Sequence, residues 1–431
     1  MSIVIPSLRA AVAVPGWAKN ALWRNARAVP SLDLRFADNK SLVDAVTGAS
    51  LVTFTRASSG TFVDSAGVLQ TAAIDVPRFD HNPTTGESLG LLVEEARTNL
   101  ALGSEEFNDA SWAKVGATVT ANTGAAPNGA TTADLFTRTT TGVSYATQTF
   151  TKAASAIQYT FSVFVKQSVG NFCALRVQGT YPSRVDVVFN LSSATISTAA
   201  SVFGSFTGPS ASITPYANGW YRLTVTATSD AGVALQVLAS FNSNGIVVDG
   251  TDSVSNSAGL LWGAQLEAGA FPTSYIPTTT AAATRSADVA SITGTAFSGW
   301  YRQDEGTFYG EATGLSGGAT ITVRASADAG ERMQFNNGLG QTAVIASGVA
   351  QVLFGSPGTN KQAFAFKAND FAQKRVGFAL ETDSSGTLPV VNMATIGKFD
   401  FGGQDSLNGR IRRLVFWPVR LPDTTLETLT Q

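Results

Sequence analysis

The sequence predicts an all-β protein of tandem β-sandwiches behind a short N-terminal arm, and three observations carry that expectation. Beyond Ser31 the apolar residues recur at every second position, the period of strands with one buried face. Between these runs stand clusters such as Asn218-Gly219, Ser229-Asp-Ala-Gly232 and Asn242-Ser-Asn-Gly245, which let the backbone reach positive φ or reverse its direction. The chain of 431 residues holds 41 Gly and is 14% charged, whereas ordinary soluble domains are about 25% charged. Such a surface suits sheets that are covered by other subunits.

Residues 1–30 form the arm. Arg9, Lys19, Arg24 and Arg27 are its charges, and no acidic residue precedes Asp33. From Trp17 to Arg27, between Pro15-Gly16 and Pro30, the spacing fits roughly two or three helical turns carrying Trp17, Ala21 and Trp23. A helix this short does not fold alone. Trp17, Lys19, Trp23, Arg24 and Arg27 are therefore read as an anchor that docks on a partner, because two tryptophans are costly to leave in water. Pro6, Arg9 and Pro15 interrupt the mildly apolar start, so no cleaved secretion signal is expected. No apolar run reaches the roughly 18 residues of a transmembrane helix, and no membrane insertion is expected.

Strands follow in order. Tyr159, Phe161, Val163 and Val165 alternate with their neighbours, as do Val185, Val187, Phe189 and Leu191. Tyr221, Leu223, Val225 and Ala227 repeat the pattern, and so do Val233, Leu235, Val237, Ala239 and Phe241. Pro277-Thr-Thr-Thr-Ala-Ala-Ala-Thr284 reads as a linker with nothing large enough to pack. Strand candidates resume at Thr307–Ala312, Thr320–Val323, Gln351–Phe354, Ala363–Phe366, Arg375–Leu380 and Arg410–Trp417. Leu421-Pro-Asp423 then opens a helical turn over Thr424–Leu429, with Asp423 able to accept its free N–H groups. The expected division is 1–30 arm, 31–102 β segment, 103–280 first sandwich and 281–431 second sandwich.

One Cys, one His and three Met exclude a disulfide scaffold and any zinc site made of Cys and His alone. The net charge of −2 argues against nucleic-acid binding.

From Ser31 to Leu100 the chain resembles a segment of tailed-bacteriophage virion proteins. The carriers are Phe54-Thr-Arg-Ala-Ser58, Asp64-Ser-Ala-Gly-Val-Leu69, Pro77-Arg-Phe-Asp80, Gly90-Leu-Leu-Val-Glu94 and Arg97-Thr-Asn-Leu100. Ser104-Glu-Glu-Phe107 to Trp112, Gly219-Trp-Tyr-Arg222, Trp262-Gly-Ala-Gln-Leu-Glu267 and Pro272-Thr-Ser-Tyr-Ile-Pro277 resemble a carbohydrate-binding-module jelly roll. Asn408-Gly-Arg-Ile-Arg-Arg-Leu-Val-Phe-Trp417, with Leu421 and Leu426, is similar to the close of a concanavalin or laminin-G-type sandwich. The resemblance implies a structural virion surface protein of head or tail, a fibre or spike that binds host-surface glycan. It also implies a homotrimer, in keeping with the low charge. The basic arm lies outside the resemblance and is the expected virion anchor, contacting other virion proteins. A decoration or adaptor protein without glycan binding and a capsule-degrading glycoside hydrolase are the alternatives.

No catalytic centre is expected. His81 lies in a turn-like stretch, and Cys173 sits on a strand as a small hydrophobe. The doublets Glu94-Glu95, Glu105-Glu106 and Asp304-Glu305 place neighbours on opposite faces of a strand, an arrangement unsuited to paired carboxylate chemistry. Gly338-Leu-Gly340 reads as a loop, and Arg410, Arg412 and Arg413 as a solvent-facing or interface strand. No cofactor is expected. Calcium is the metal that the composition allows, with Asp109, Asp249 and Asp252 as oxygen-rich turn residues and no ligand assigned. For sugar, aromatic faces flanked by charged groups are needed. Tyr181 with Arg184, and Trp300, Tyr301 and Arg302 with Asp304, are the candidate groups; Trp112, Trp220, Trp262 and Trp417 are assigned to cores.

Overall fold

The computed structural model describes residues 20–316, 318–328, 330–336, 341–355, 360–399 and 405–431. The expected loop at 338–340 lies outside them, as do Trp17 and Lys19. Strands dominate from Leu32 onward, and two sandwiches hold most of them.

The first sandwich lies between residues 113 and 268. One of its sheets runs Thr207–Pro215, Trp220–Thr228, Gln158–Val169, Ala258–Ala268, Ala133–Arg138 and Ala117–Gly124. The other runs Thr195–Phe203, Arg184–Asn190, Phe172–Gln178, Ala234–Asn242, Tyr145–Thr151 and Ala113–Val115. Period-2 alternation produces the core directly. Phe161, Val163 and Val165 meet Leu223 and Val225 from one sheet, and Val185, Val187, Phe189, Leu235 and Val237 from the other.

Among the described residues the second sandwich has sheets of eight and seven strands. In the larger, Glu305–Gly314 and Gly409–Trp417 lie side by side at the centre. The far side of Gly409–Trp417 is shared by two strands from early in the chain. Ser88–Val93 pairs with its first half, and Leu32–Leu34 with its second. Gly90 is required there: its φ is +90°, and a Cβ would lie 2.0 Å from the Ile411 carbonyl oxygen. In the smaller sheet Thr53–Thr55 pairs with Val289–Thr293. Leu34, Leu91, Val93 and Phe54 thus share a core with Phe308, Ile321, Phe364 and Phe416.

This corrects the expected consecutive division. Residues 31–99 are not a separate β segment: Leu32–Leu34, Thr53–Thr55, Phe79–His81 and Ser88–Val93 belong to the sheets of the second sandwich, the hairpin of Gly60–Val63 and Leu69–Ala72 packs on the first, and the first sandwich is inserted between the halves of the second. Alternation reveals which side of a strand is buried; it does not reveal which distant strand lies beside it. The insert leaves and returns through paired strands, Arg97–Asn99 against Ala283–Arg285. The expected linker is consequently structured. Thr278 is buried and its N–H donates to Ser104 Oγ at 2.8 Å.

Two short helices cover the outer side of the eight-stranded sheet. Ala26 from Ala21–Ala26, and Leu426 and Leu429 from Asp423–Leu429, pack on Tyr309, Ala365, Val415 and Trp417. Burying a leucine of this kind contributes about 1.5–3 kcal/mol. Asn20 caps the first helix by accepting the Leu22 N–H at 3.0 Å. Asp423 does not cap the last helix as expected; Pro422 holds that position, and Asp423 pairs with Arg420 at 2.6 Å. Arg375–Leu380 is also corrected: the strand is Asp370–Arg375, and Gly377 at φ +78° belongs to the turn that ends it. Among the described residues, no helix is long and apolar enough to cross a membrane.

Candidate functional site

At the root of the insert, residues from widely separated strand ends form a buried ionic cluster. Arg56 follows Thr53–Thr55, Arg78 precedes Phe79–His81, Glu94 ends Ser88–Val93, and Arg285 and Asp288 precede Val289–Thr293. Asp288 binds Arg56 at 3.2 Å, Arg78 at 2.5 Å and the Glu94 N–H at 2.8 Å. Glu94 takes Arg78 at 2.9 Å and, from the insert, the Ser274 N–H and hydroxyl, both at 2.7 Å. The oxygens of both carboxylates are engaged, so the cluster is a clamp between the two sandwiches.

Burial would push the Glu94 carboxyl up, but Arg285, Arg78 and the Ser274 donors outweigh it and hold the carboxyl well below its ordinary range. A depressed folded pKa means that this stabilisation is present above the unfolded pKa and is lost as pH falls through the folded value. Denaturation midpoints should therefore be level above about pH 5 and fall in acid. Glu94→Gln should show a shallower acid dependence; parallel curves for the two proteins would contradict this.

On the outer face of the insert, Phe172–Gln178 and Arg184–Asn190 form a hairpin with Tyr181 at its tip. Tyr181 is 70% exposed, and the Tyr181-Pro182 peptide is cis. The Arg184 guanidinium carbon lies 5.5 Å from the Tyr181 ring centroid and 4.0 Å from that of Phe203, which is 44% exposed. Behind it runs an ionic ladder. Arg184 binds Asp186 at 2.9 Å, Arg176 binds Asp186 at 2.5 Å, and Arg176 also binds Asp249 at 3.0 Å. The ladder fixes Arg184 while leaving aromatic surface in solvent. Sequence reasoning found Tyr181 and Arg184 but missed Phe203, which is brought opposite Arg184 by strand register.

The Trp300 group does not form a comparable platform. Trp300 is 3% exposed, packed on Phe297 and Phe416 at centroid distances of 5.2 and 5.1 Å. Tyr301 stacks on Phe297 at 4.8 Å and on Phe416 at 5.4 Å, and burial pushes its phenol up. Trp300 is core packing, which corrects its assignment to ligand binding; Tyr301 is half-buried and packs against the same core. A cavity of about 460 Å³ adjoins Tyr301, bordered by Phe297, Gln303, Val391 and Asn392. Arg302 and Asp304 are exposed and pair with each other at 2.6 Å.

Trp23 is likewise corrected. Its side chain is buried against the chain's own second sandwich, and its Nε1–H donates to Asp33 at 2.9 Å, so it is not available to dock elsewhere. Arg24 and Arg27 are exposed.

Several of the other polar residues singled out in the sequence have local partners. His81 ends a buried strand with Nδ1 3.0 Å from the Val63 carbonyl. Burial pushes the Cys173 thiol up. Arg410, Arg412 and Arg413 pair with Asp80, Glu87 and Asp33 respectively. Glu95 pairs with Arg97, and the Tyr275 hydroxyl donates to Glu105. Asp109 accepts the Ser111 N–H, and Asp252 accepts the Ser243 N–H and the Ser257 hydroxyl. Among the described residues, no group of three or more His, Cys, Asp or Glu side chains is placed to hold a metal ion.

No family model and no curated protein matches the chain. Two solved structures of Trypanosoma rangeli sialidase, one in complex with sialic acid, align over 74% of this chain at 10% identity. Their TM-scores are 0.22 for the complex and 0.24 for the other, and the alignment spans 62% of the sialidase chain in each case. Similarity at this level carries no argument about activity.

Proposed function

We propose that the chain is a structural surface protein of a phage or phage-like particle, a fibre or spike that adheres to host-surface glycans. The observation that supports adhesion is Arg184, held between the exposed rings of Tyr181 and Phe203. An aromatic face stacks on the apolar side of a pyranose, here the face away from the guanidinium, which lies over each ring and can donate to hydroxyl or carboxylate oxygens. Such a shallow site binds weakly, and repeated copies on one particle supply the avidity. The particle assignment is supported by the virion-type motifs, whose charged residues build the clamp that stiffens the molecule. Attachment to other virion proteins falls to the arm through Trp17, Lys19, Arg24 and Arg27, without Trp23.

Glycan arrays and whole-cell binding test this reading. Saccharide-competed binding is expected for the intact protein, weakened about tenfold or more by Tyr181→Ala or Arg184→Ala. Silence on arrays and cells, with normal incorporation into particles, would overturn adhesion in favour of a decoration protein. Release of reducing ends from host capsule would favour a hydrolase.

A further inference from the structure

The candidate platform lies at one end of a longer row. On five neighbouring strands of the insert, Phe203, Arg184, Gln178, Gln236 and Thr149 stand opposite one another in register. Their chain neighbours Val185, Val177, Leu235 and Val237 belong to the core, so the row stands on the outer face of the sheet. With strands roughly 4.8 Å apart, it runs about 19 Å across them. The bulges of the edge strand fall between Asp186 and Phe189, and the pairing of Phe203 with Arg184 is regular.

Much of the remaining outer face is covered. Val247 and Val248 pack on Ala174, Val188 and Leu238, and Asp249 reaches Arg176. The row itself is open: Phe203 and Thr149 are exposed, and Arg184, Gln178 and Gln236 are half-buried. Its polar atoms are only partly engaged. Gln178 Nε2 donates to Gln236 Oε1 at 3.4 Å, while Gln178 Oε1, Gln236 Nε2, the Thr149 hydroxyl and Arg184 Nη2 have no partner among the described residues. Beyond Phe203 the floor is polar, which does not suit an acyl chain. Amides left open as both donor and acceptor do suit hydroxyl groups, which donate and accept in turn.

We propose that this row is an extended glycan strip, in which a linear oligosaccharide lies across the strands with one sugar on the Tyr181 or Phe203 ring and the following ones over Gln178, Gln236 and Thr149. This mode of binding rests on the adhesion reading and adds that the ligand is a length of chain, not a terminal sugar alone.

Fragments of purified host-surface polysaccharide, separated by length from the monosaccharide upward, test it by calorimetric titration of the full chain. Affinity should climb at least about tenfold between the monosaccharide and fragments long enough to reach Thr149. Gln236→Ala should remove most of that gain, whereas Tyr181→Ala should weaken fragments of every length. Circular dichroism and melting show whether Gln236→Ala keeps the fold; Thr149→Ala, at an exposed position, repeats the test without approaching the core. Equal affinity at all lengths, or a gain that survives both Gln236→Ala and Thr149→Ala, would overturn the extended strip and leave adhesion standing. Absence of binding to any fragment would overturn both.

Discussion

Asp288→Ala is expected to destabilise the protein by about 3–5 kcal/mol, read as a large fall in the urea midpoint near neutral pH. The reason is the company Asp288 keeps. Its side chain is fully buried and holds Arg56 and Arg78, whose side chains are equally buried. Removing the carboxylate strands two guanidinium groups in a low-dielectric interior, with Glu94 left as the nearest counter-charge to Arg78. Asp304→Ala provides the contrast. That carboxylate is exposed and pairs with an exposed arginine, so solvent already screens it and no measurable change is expected. Equal midpoint shifts for the two variants would show that burial does not govern these ion pairs.

Dividing the chain at the paired entry and exit strands should give two opposite results. Residues 100–282 carry both sheets of the insert and the core between them, lacking only the cover of Val63 and Leu69 over Phe164, Trp220 and Trp262, so this piece is expected to fold alone with a cooperative melt and strand-type circular dichroism. Residues 281–431 should not. They lack Leu32–Leu34 and Ser88–Val93 from one sheet and Thr53–Thr55 from the other, and with them Leu34, Phe54, Leu91 and Val93 of the shared core. A large exposed apolar side and unpaired strand borders should leave this piece aggregated or unfolded. Supplying residues 20–99 joined to 283–431 through a short flexible linker should restore folding. A cooperative melt of 281–431 alone would show that the early strands are ornaments on an already complete sandwich.

The strands whose alternation is clearest were legible without coordinates. Phe161, Val163, Val185, Val187, Leu223, Leu235 and Val237 all lie in the core, because a period of two fixes which face of a strand is apolar. The helical turn near the C-terminus was legible too, from Leu426 and Leu429. Two of the three residues of the candidate platform could be read, since Tyr181 and Arg184 are close in sequence and of the right chemistry. Trp300 has the same chemistry but is a core residue, and local sequence gives no measure of what covers an aromatic ring.

Local spacing and residue counts were enough to fix the all-β class, the apolar face of most strands and the absence of a disulfide scaffold. Tertiary structure decided the rest: the insertion of one sandwich within another, the meeting of Arg56, Arg78, Glu94, Arg285 and Asp288, and the pairing of Arg184 with Phe203. Each depends on register between strands far apart in the chain. Such contacts are selected by the packing and burial of the whole molecule, which no short stretch of residues encodes.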